Sequence, residues 1–335
     1  MARTEIPTGH ALAPIIVQRQ LFLDQVKKSY FSRFMGGSDA IIHEKTDFTK
    51  QKGETMTFGI RMRVTGSPIT GNATVKGRED RLSFNSFNLT LERYRYAIMD
   101  DGALTRQRFV GDIPNEIRSA LVDWGSEQID QMVFDALSAS PTEAIYAGSA
   151  TSTGTLTASD LVTPALISQM KAKALTRRAA NIIPMRPVRV DGKDYLVLLL
   201  SEDQIYDLKR NSEFIQAQRE AAERGSSNPI FTGMVGVWDG VVIHSHDNTK
   251  IYANGGSGAN VKYSHGLLLG AQSLVWAWGE RPSIVEEDED YEEFKGYCWR
   301  MTAKAGKPVF DSHDYGSMSL FTADSRVTGR TTNVR

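Results

Sequence analysis

Two histidines one residue apart make the most pointed chemical suggestion in the chain, within the stretch NPIFTGMVGVWDGVVIHSHDN from Asn228 to Asn248. On an extended strand His244 and His246 project to the same side, so together they could hold one divalent metal. A metal-dependent hydrolase built on them would need a third ligand and an open coordination position. Downstream only His265 and His313 remain as further imidazoles, and Lys250 and Ile251 stand where a cupin would carry its glutamate. Two ligands do not make a catalytic centre. The preferred reading is a strand that happens to carry imidazoles.

The other candidates are weaker. Cys298 is the single cysteine, which excludes an intrachain disulfide and any multi-cysteine zinc site. Its neighbours in GYCWRM are largely aromatic, the setting of a buried, inert thiol. NGGSGAN is glycine-rich, but the chain contains no Gly-x4-Gly-Lys-Ser/Thr, and Ala259 stands where a nucleophile elbow needs its last glycine. HDYG at residues 313–316 has no catalytic-loop sequence to accompany it. The acidic run Glu286–Glu293 reads as solvated charge, or as a surface facing basic residues of another subunit. No constellation carries chemistry, and no cofactor is implied.

The elements that would position these residues follow from periodicity. APIIVQRQLFLDQVKKSYFSRFMGG can form an amphipathic helix closing at Gly36-Gly37. In TMTFGIRMRV, Met56, Phe58, Ile60, Met62 and Val64 alternate with polar residues and glycine, the pattern of a half-buried strand. The returning segment RLSFNSFNLTLERYRYAIM changes phase twice, after Phe84 and after Leu91, where bulges or bends are expected. The polar stretch between them makes a long hairpin. A two-stranded ribbon is marginal in water by itself, so its apolar side either folds back on its own domain or lies across another copy.

Asp112 to Ala139 reads as one long helix with Asp112 as N-cap and Pro114 in the first turn. Ile117, Leu121, Trp124, Met132, Val133, Ala136 and Leu137 supply its buried stripe, with acids and amides opposite. The second half alternates elements. A helix is expected after the cap at Thr163-Pro164, and a hairpin turning at Asp191-Gly192 into a strand buried on both faces. A capping box at Ser201 and Gln204 opens another helix, and a second hairpin turns at Asp239-Gly240. A last pair of strands, GYCWRMTAKAGKPVF and GSMSLFTA, precedes a polar tail.

With 335 residues the chain exceeds what one core usually serves, so two lobes are expected. Lys plus Arg number 39 against 40 Asp plus Glu, which argues against a protein whose task is to grip nucleic acid. No signal peptide is read at the start, and the longest apolar run, Tyr195–Leu200, is too short to span a bilayer.

Several stretches, taken in order and spacing, resemble the major capsid proteins of tailed bacteriophages, and in particular the coat-protein family of N4-like phages. They are FSRFMGG, the passage from KTDFTKQKGETMTF to GREDRLSF, DWGSEQIDQMVFDALS, YLVLLLSEDQIYDLKRN, NPIFTGMVGVWDGVVIHSH, GLLLGAQSLVWAWGE and DYEEFKGYCWRMTAKAGKPVFDSHDYGSMSL. The resemblance covers about Phe31 to Ala323. It implies an α+β fold, the tailed-phage major capsid fold shared with herpesvirus capsid floors and encapsulins. By its pattern residues 1–46 are an N-terminal arm and 47–97 an extended loop. Residues 98–164 are a peripheral domain whose spine helix spans 112–139, and 165–279 an axial domain. Residues 280–325 return to the peripheral domain, and 326–335 are a tail.

The implied role is a structural, non-enzymatic protein that assembles as hexamers and pentamers into an icosahedral head around double-stranded DNA, in a virion built in the host cytoplasm. An encapsulin-like shell is the alternative within the fold. The implied partners are its own copies, a portal, a separate scaffolding protein, an optional decoration protein, and DNA by weak non-specific contact, with no membrane. Met56, Phe58, Ile60, Met62, Val64, Leu82 and Phe84 are expected at the contact between subunits, on the premise that the ribbon has nothing of its own to cover it.

Overall fold

The computed structural model describes residues 29–46, 55–61, 64, 66–71, 74–108, 112–177, 183–190, 192–220, 234–291 and 293–325. The helix expected to run to Gly36-Gly37 lies mostly outside them, and its described end is not helical in that sense. Tyr30–Phe34 forms a single 3-10 turn, and β1 (Met35–Gly36) already pairs in parallel with β2 (Ile42–Lys45). Phe31 and Phe34 are buried, so the turn is held by packing rather than by helix continuation.

β3 (Thr55–Arg61) and β4 (Phe84–Thr90) form a two-stranded antiparallel ribbon in unbroken register from Thr55 opposite Thr90 to Arg61 opposite Phe84. β5 (Glu92–Met99) then leaves the ribbon and pairs elsewhere along its whole length. The two phase changes therefore have causes other than bulges. At Leu91 the chain changes sheet; at Phe84 the side chain lies on the ribbon's opposite face. Residues 92–97, expected within the loop, belong to a main sheet.

After α1 (Ala103–Arg108), α2 (Ile113–Ser138) runs 26 residues, about 39 Å at 1.5 Å per residue. Asp112 stands at the N-cap, but its carboxylate accepts from the Asn115 side chain rather than from a backbone amide. Leu121, Val133 and Leu137 are buried as expected, while Ile117, Trp124, Met132 and Ala136 are half-buried. Val122, Ile129 and Phe134 complete the stripe. Ser126 is buried too, and so is Asp130, which corrects the expectation that the acids lie opposite the buried stripe.

β6 (Ala144–Tyr146) precedes α3 (Pro164–Thr176), whose cap Thr163 accepts from the Leu166 amide at 3.3 Å. β7 (Val188–Val190) and β8 (Lys193–Leu200) form the first expected hairpin, and Ser201 and Gln204 cap α4 (Glu202–Lys209) reciprocally. α5 (Ser212–Glu220) follows. β9 (Met234–Trp238) and β10 (Val241–Ser245) turn at Asp239 and Gly240, both with positive φ, as a type I′ turn requires. The remaining strands are β11 (Ile251–Gly255), β12 (Val261–Leu269), β13 (Leu274–Glu289), β14 (Phe294–Gly306), β15 (Val309–Phe310), β16 (His313–Asp314) and β17 (Ser317–Ala323).

Two sheets organise these strands. One has the order β1-β2-β13-β14-β5; the other runs β6-β17-β12-β8-β10-β9, with β11 on β12 and β7 on β8. β14 and β17, expected as a closing pair, lie in different sheets: β14 between β13 and β5, β17 between β12 and β6. The return segment therefore feeds both layers.

β8 shows why its sequence is continuously apolar. Val197 and Leu199 join a core shared with α2, Trp276, Trp278 and Trp299. Leu196, Leu198 and Leu200 join a second core with Ile167, Met170, Ile205 and Phe214 from the helices on the other face. A central strand covered on both sides has no polar face to alternate. Among the described residues no helix is long and apolar enough to cross a membrane.

Candidate assembly interface

The histidine strand is placed in the first core. His244 is fully buried on β10, and His246 follows just beyond the strand. The two do share a side, and that side is aromatic. The His246 ring lies 4.4 Å from Tyr30 and 4.8 Å from Phe134, and the His244 ring 5.7 Å from Phe34. Burial pushes the His246 pKa down, favouring the neutral ring. His265 Nε2 lies 2.7 Å from Ser319 Oγ, and His313 Nδ1 lies 2.8 Å from Glu143. No group of three or more His, Cys, Asp or Glu is gathered in a metal-binding arrangement among the described residues. Cys298 is a half-buried free thiol on β14.

The ribbon divides into a seated base and an open far end. On β3, burial alternates strictly, with Met56, Phe58 and Ile60 on the inner side. Leu89 stands opposite Met56, and Phe87 opposite Phe58, with ring centroids 6.3 Å apart. Leu89 forms a small core with Val275 and Ala277 of β13, against which Met56, Phe58, Phe87 and Leu91 pack. At Gly306 a Cβ would fall 2.4 Å from Leu89 Cδ1 and 3.0 Å from Phe87 Cζ, so the bare backbone there makes the seat.

The premise that the ribbon has no cover of its own is thus corrected at its base. The cause is the run LVWAW that opens β13. Leu274, Trp276 and Trp278 fill the main core, which leaves the small side chains of Val275 and Ala277 on the other face as a landing site. Beside this seat a groove of about 390 Å3 opens between Phe58 and Ile60 on one side and His43, Lys45, Phe310 and Tyr315 on the other.

Farther out the ribbon loses its cover. Leu82 is 56% exposed, Phe84 67% and Val64 55%. Val75, which the sequence reading passed over, is 59% exposed. Of the residues expected at a subunit contact, Met56 and Phe58 are engaged by their own chain, Ile60 lines the groove, and Val64, Leu82 and Phe84 point into solvent. Met62 lies outside the described residues. Leu89 and Phe87 were legible as apolar, but their partners Val275 and Gly306 lie far along the chain and carry no local signal.

A family model described as phage capsid protein matches residues 5–144 and 136–318. The chain is 25% identical over 355 aligned positions to the major capsid protein of Pseudomonas phage KPP25, covering 90% of this chain and 93% of that one. Among solved structures it is similar to the capsid of Ralstonia phage GP4, with a TM-score of 0.82 and 27% identity over 98% of this chain and 100% of that one. It is also similar to the cyanophage Pam1 capsid, with a TM-score of 0.77 and 21% identity over 90% and 93%.

Proposed function

Because the chain belongs to the phage capsid protein family and is a structural subunit of the virion's head shell, we propose that its copies close an icosahedral head as hexamers and pentamers around double-stranded DNA. Its α+β fold is that of tailed-phage capsid proteins. The observation that carries the reading is the likeness to the Ralstonia phage GP4 capsid, which extends over nearly the whole of both chains rather than one module.

In this reading the sheet around β13 and β14, with α2 as its spine, is the peripheral layer. The eight-stranded sheet with α3, α4 and α5 is the axial layer, and β17 belongs to it. The ribbon reaches from its seat on Val275 and Ala277 across a neighbouring copy, which would cover Val64, Leu82 and Phe84. Many modest contacts repeated around a closed shell give stability through avidity. The balance of 39 basic and 40 acidic residues suits a container that a motor fills, since a strongly basic lining would hold the duplex by counterion release. A portal, a separate scaffolding protein and an optional decoration protein are the further partners, and assembly takes place in the host cytoplasm.

Negative-stain microscopy of the expressed full chain tests the proposal. Closed shells of uniform diameter are the expected result. A chain that stays monomeric at every concentration and salt condition overturns it.

A further inference from the structure

Resting on that reading, we propose that the far end of the ribbon docks on the acidic turn between β13 and β14 of another copy, head to tail and by charge. Between Arg61 and Arg81 five basic residues stand against two acids. Lys76, Arg78 and Arg81 are exposed, and among the described residues no ion pair joins any of them to an acid. One of the two acids is already occupied, since Glu79 accepts the Gly77 amide at 2.7 Å. Exposed Val75, Leu82 and Phe84 accompany this charge.

The acidic turn has the opposite character. Seven of the eight residues from Glu286 to Glu293 are Asp or Glu. Glu286 is taken by Arg118 at 2.5 Å, and Glu293 by the Ala103 amide at 3.1 Å. Glu287, Asp288, Glu289 and Asp290 are exposed, and no ion pair involves them among the described residues. Tyr291 stands at the crest of the turn, wholly exposed, with φ of 56°. An aromatic ring ringed by acids complements a basic ribbon carrying exposed apolar side chains.

One chain cannot satisfy both ends. β14 runs 13 residues from Phe294, beside the acidic turn, to Gly306, where Leu89 seats the ribbon. At 3.3 Å per residue those ends stand about 40 Å apart. β5 lies antiparallel to β14 from Glu92 opposite Ala303 to Met99 opposite Gly296, so the chain arrives from the Gly306 end. β4 packs against both β14 and β15, and Phe58 and Ile60 of its partner strand β3 face Phe310 and Tyr315 beyond that end. The ribbon therefore carries its positive charge away from the turn of its own chain. A contact between unlike patches on two copies is heterologous, the type that closes rings and, repeated, surfaces.

Charge reversal tests this on the full chain. One variant carries Lys76→Glu, Arg78→Glu and Arg81→Glu; a second carries Glu287→Lys, Asp288→Lys and Glu289→Lys; a third combines all six. Particle formation is followed by sedimentation and negative-stain microscopy at low and high salt. Each single reversal is expected to lower the particle fraction about tenfold by placing like charges together, and the combined variant to restore it. Single reversals that assemble like the unaltered chain, or a combined variant as dispersed as either, overturn the docking proposal while shells of the unaltered chain leave the shell reading standing. An unaltered chain that forms no particles overturns the shell reading itself, and this contact with it.

Discussion

Asp130, buried on the inner face of α2, accepts the hydroxyl of Ser29 at 2.5 Å. The same carboxylate takes the amides of Tyr30 at 2.9 Å and Phe31 at 3.3 Å. These are the unpaired donors that open the 3-10 turn, so an acid one hundred residues away caps the point where the N-terminal segment meets the body. Arg33 lies 3.9 Å over the Tyr30 ring, and burial raises the Tyr30 pKa to about 12.

Asp130→Ala is therefore expected to be costly. It leaves a buried hydroxyl and two amides without an acceptor, which corresponds to about 2–4 kcal/mol. Chemical denaturation of the full chain measures the loss. A change below about 0.5 kcal/mol, the range of ordinary surface substitutions, means that the carboxylate does not hold the turn.

Gly306→Leu is expected to unseat the ribbon while leaving both sheets folded. The new side chain would occupy the space of Leu89 and Phe87. Limited proteolysis reads the outcome, with cleavage between residues 61 and 84 rising severalfold at an unchanged far-ultraviolet circular dichroism spectrum. Unaltered cleavage with intact secondary structure would show that the seat is not what restrains the ribbon.

Two buried groups give opposing pH dependences. Burial, reinforced by Asp203 and Asp207, raises the Asp324 pKa to about 7, although Ser264 donates to it at 2.7 Å. Below its ordinary value near 4 this carboxyl is protonated folded and unfolded, and its stabilising share is lost as pH rises towards 7. Burial, with Lys307 and Lys250 nearby, lowers the His265 pKa to about 3. Its share is complete above about 6.5 and is lost as pH falls towards 3.

Between about pH 4 and 6.5 the two slopes oppose each other, each at most about 1.4 kcal/mol per pH unit. Asp324→Asn is expected to expose the acid sensitivity of His265, and His265→Gln to make the chain more stable as the pH falls from 6.5 to 4. Melting temperatures across that range decide it. Parallel profiles for the unaltered chain and both variants would refute the assignment.

His246→Ala is expected to destabilise the fold by about 1–3 kcal/mol, because it empties a site between Tyr30, Phe31 and Phe134. A chelator is expected to leave the melting temperature of the unaltered chain unchanged. A chelator-sensitive melt that becomes insensitive in His246→Ala would restore the metal reading.

Much of the local structure was legible because its causes are local. The cap at Thr163, the reciprocal pair at Ser201 and Gln204, and the turn at Asp239-Gly240 each depend on a few adjacent residues, and each formed where its pattern stood. The alternation from Met56 to Ile60 reported a half-buried strand for the same reason. Asp130 was misplaced because spacing on a helix tells which residues share a side, not which polar group meets three donors from a distant turn.

From the sequence alone came most of the longer helices and strands and several turns, since these are written in periodicities of a few residues, while the order of the longer stretches carried the family resemblance and the α+β class that it implies. Only the tertiary structure decided that β14 and β17 part into different sheets, that the histidines face aromatic rings, and that the ribbon's base sits on Val275 beside the bare backbone of Gly306. Those outcomes depend on surfaces brought together from far along the chain. Their free energy comes from burial and hydrogen bonds that no short window of residues contains.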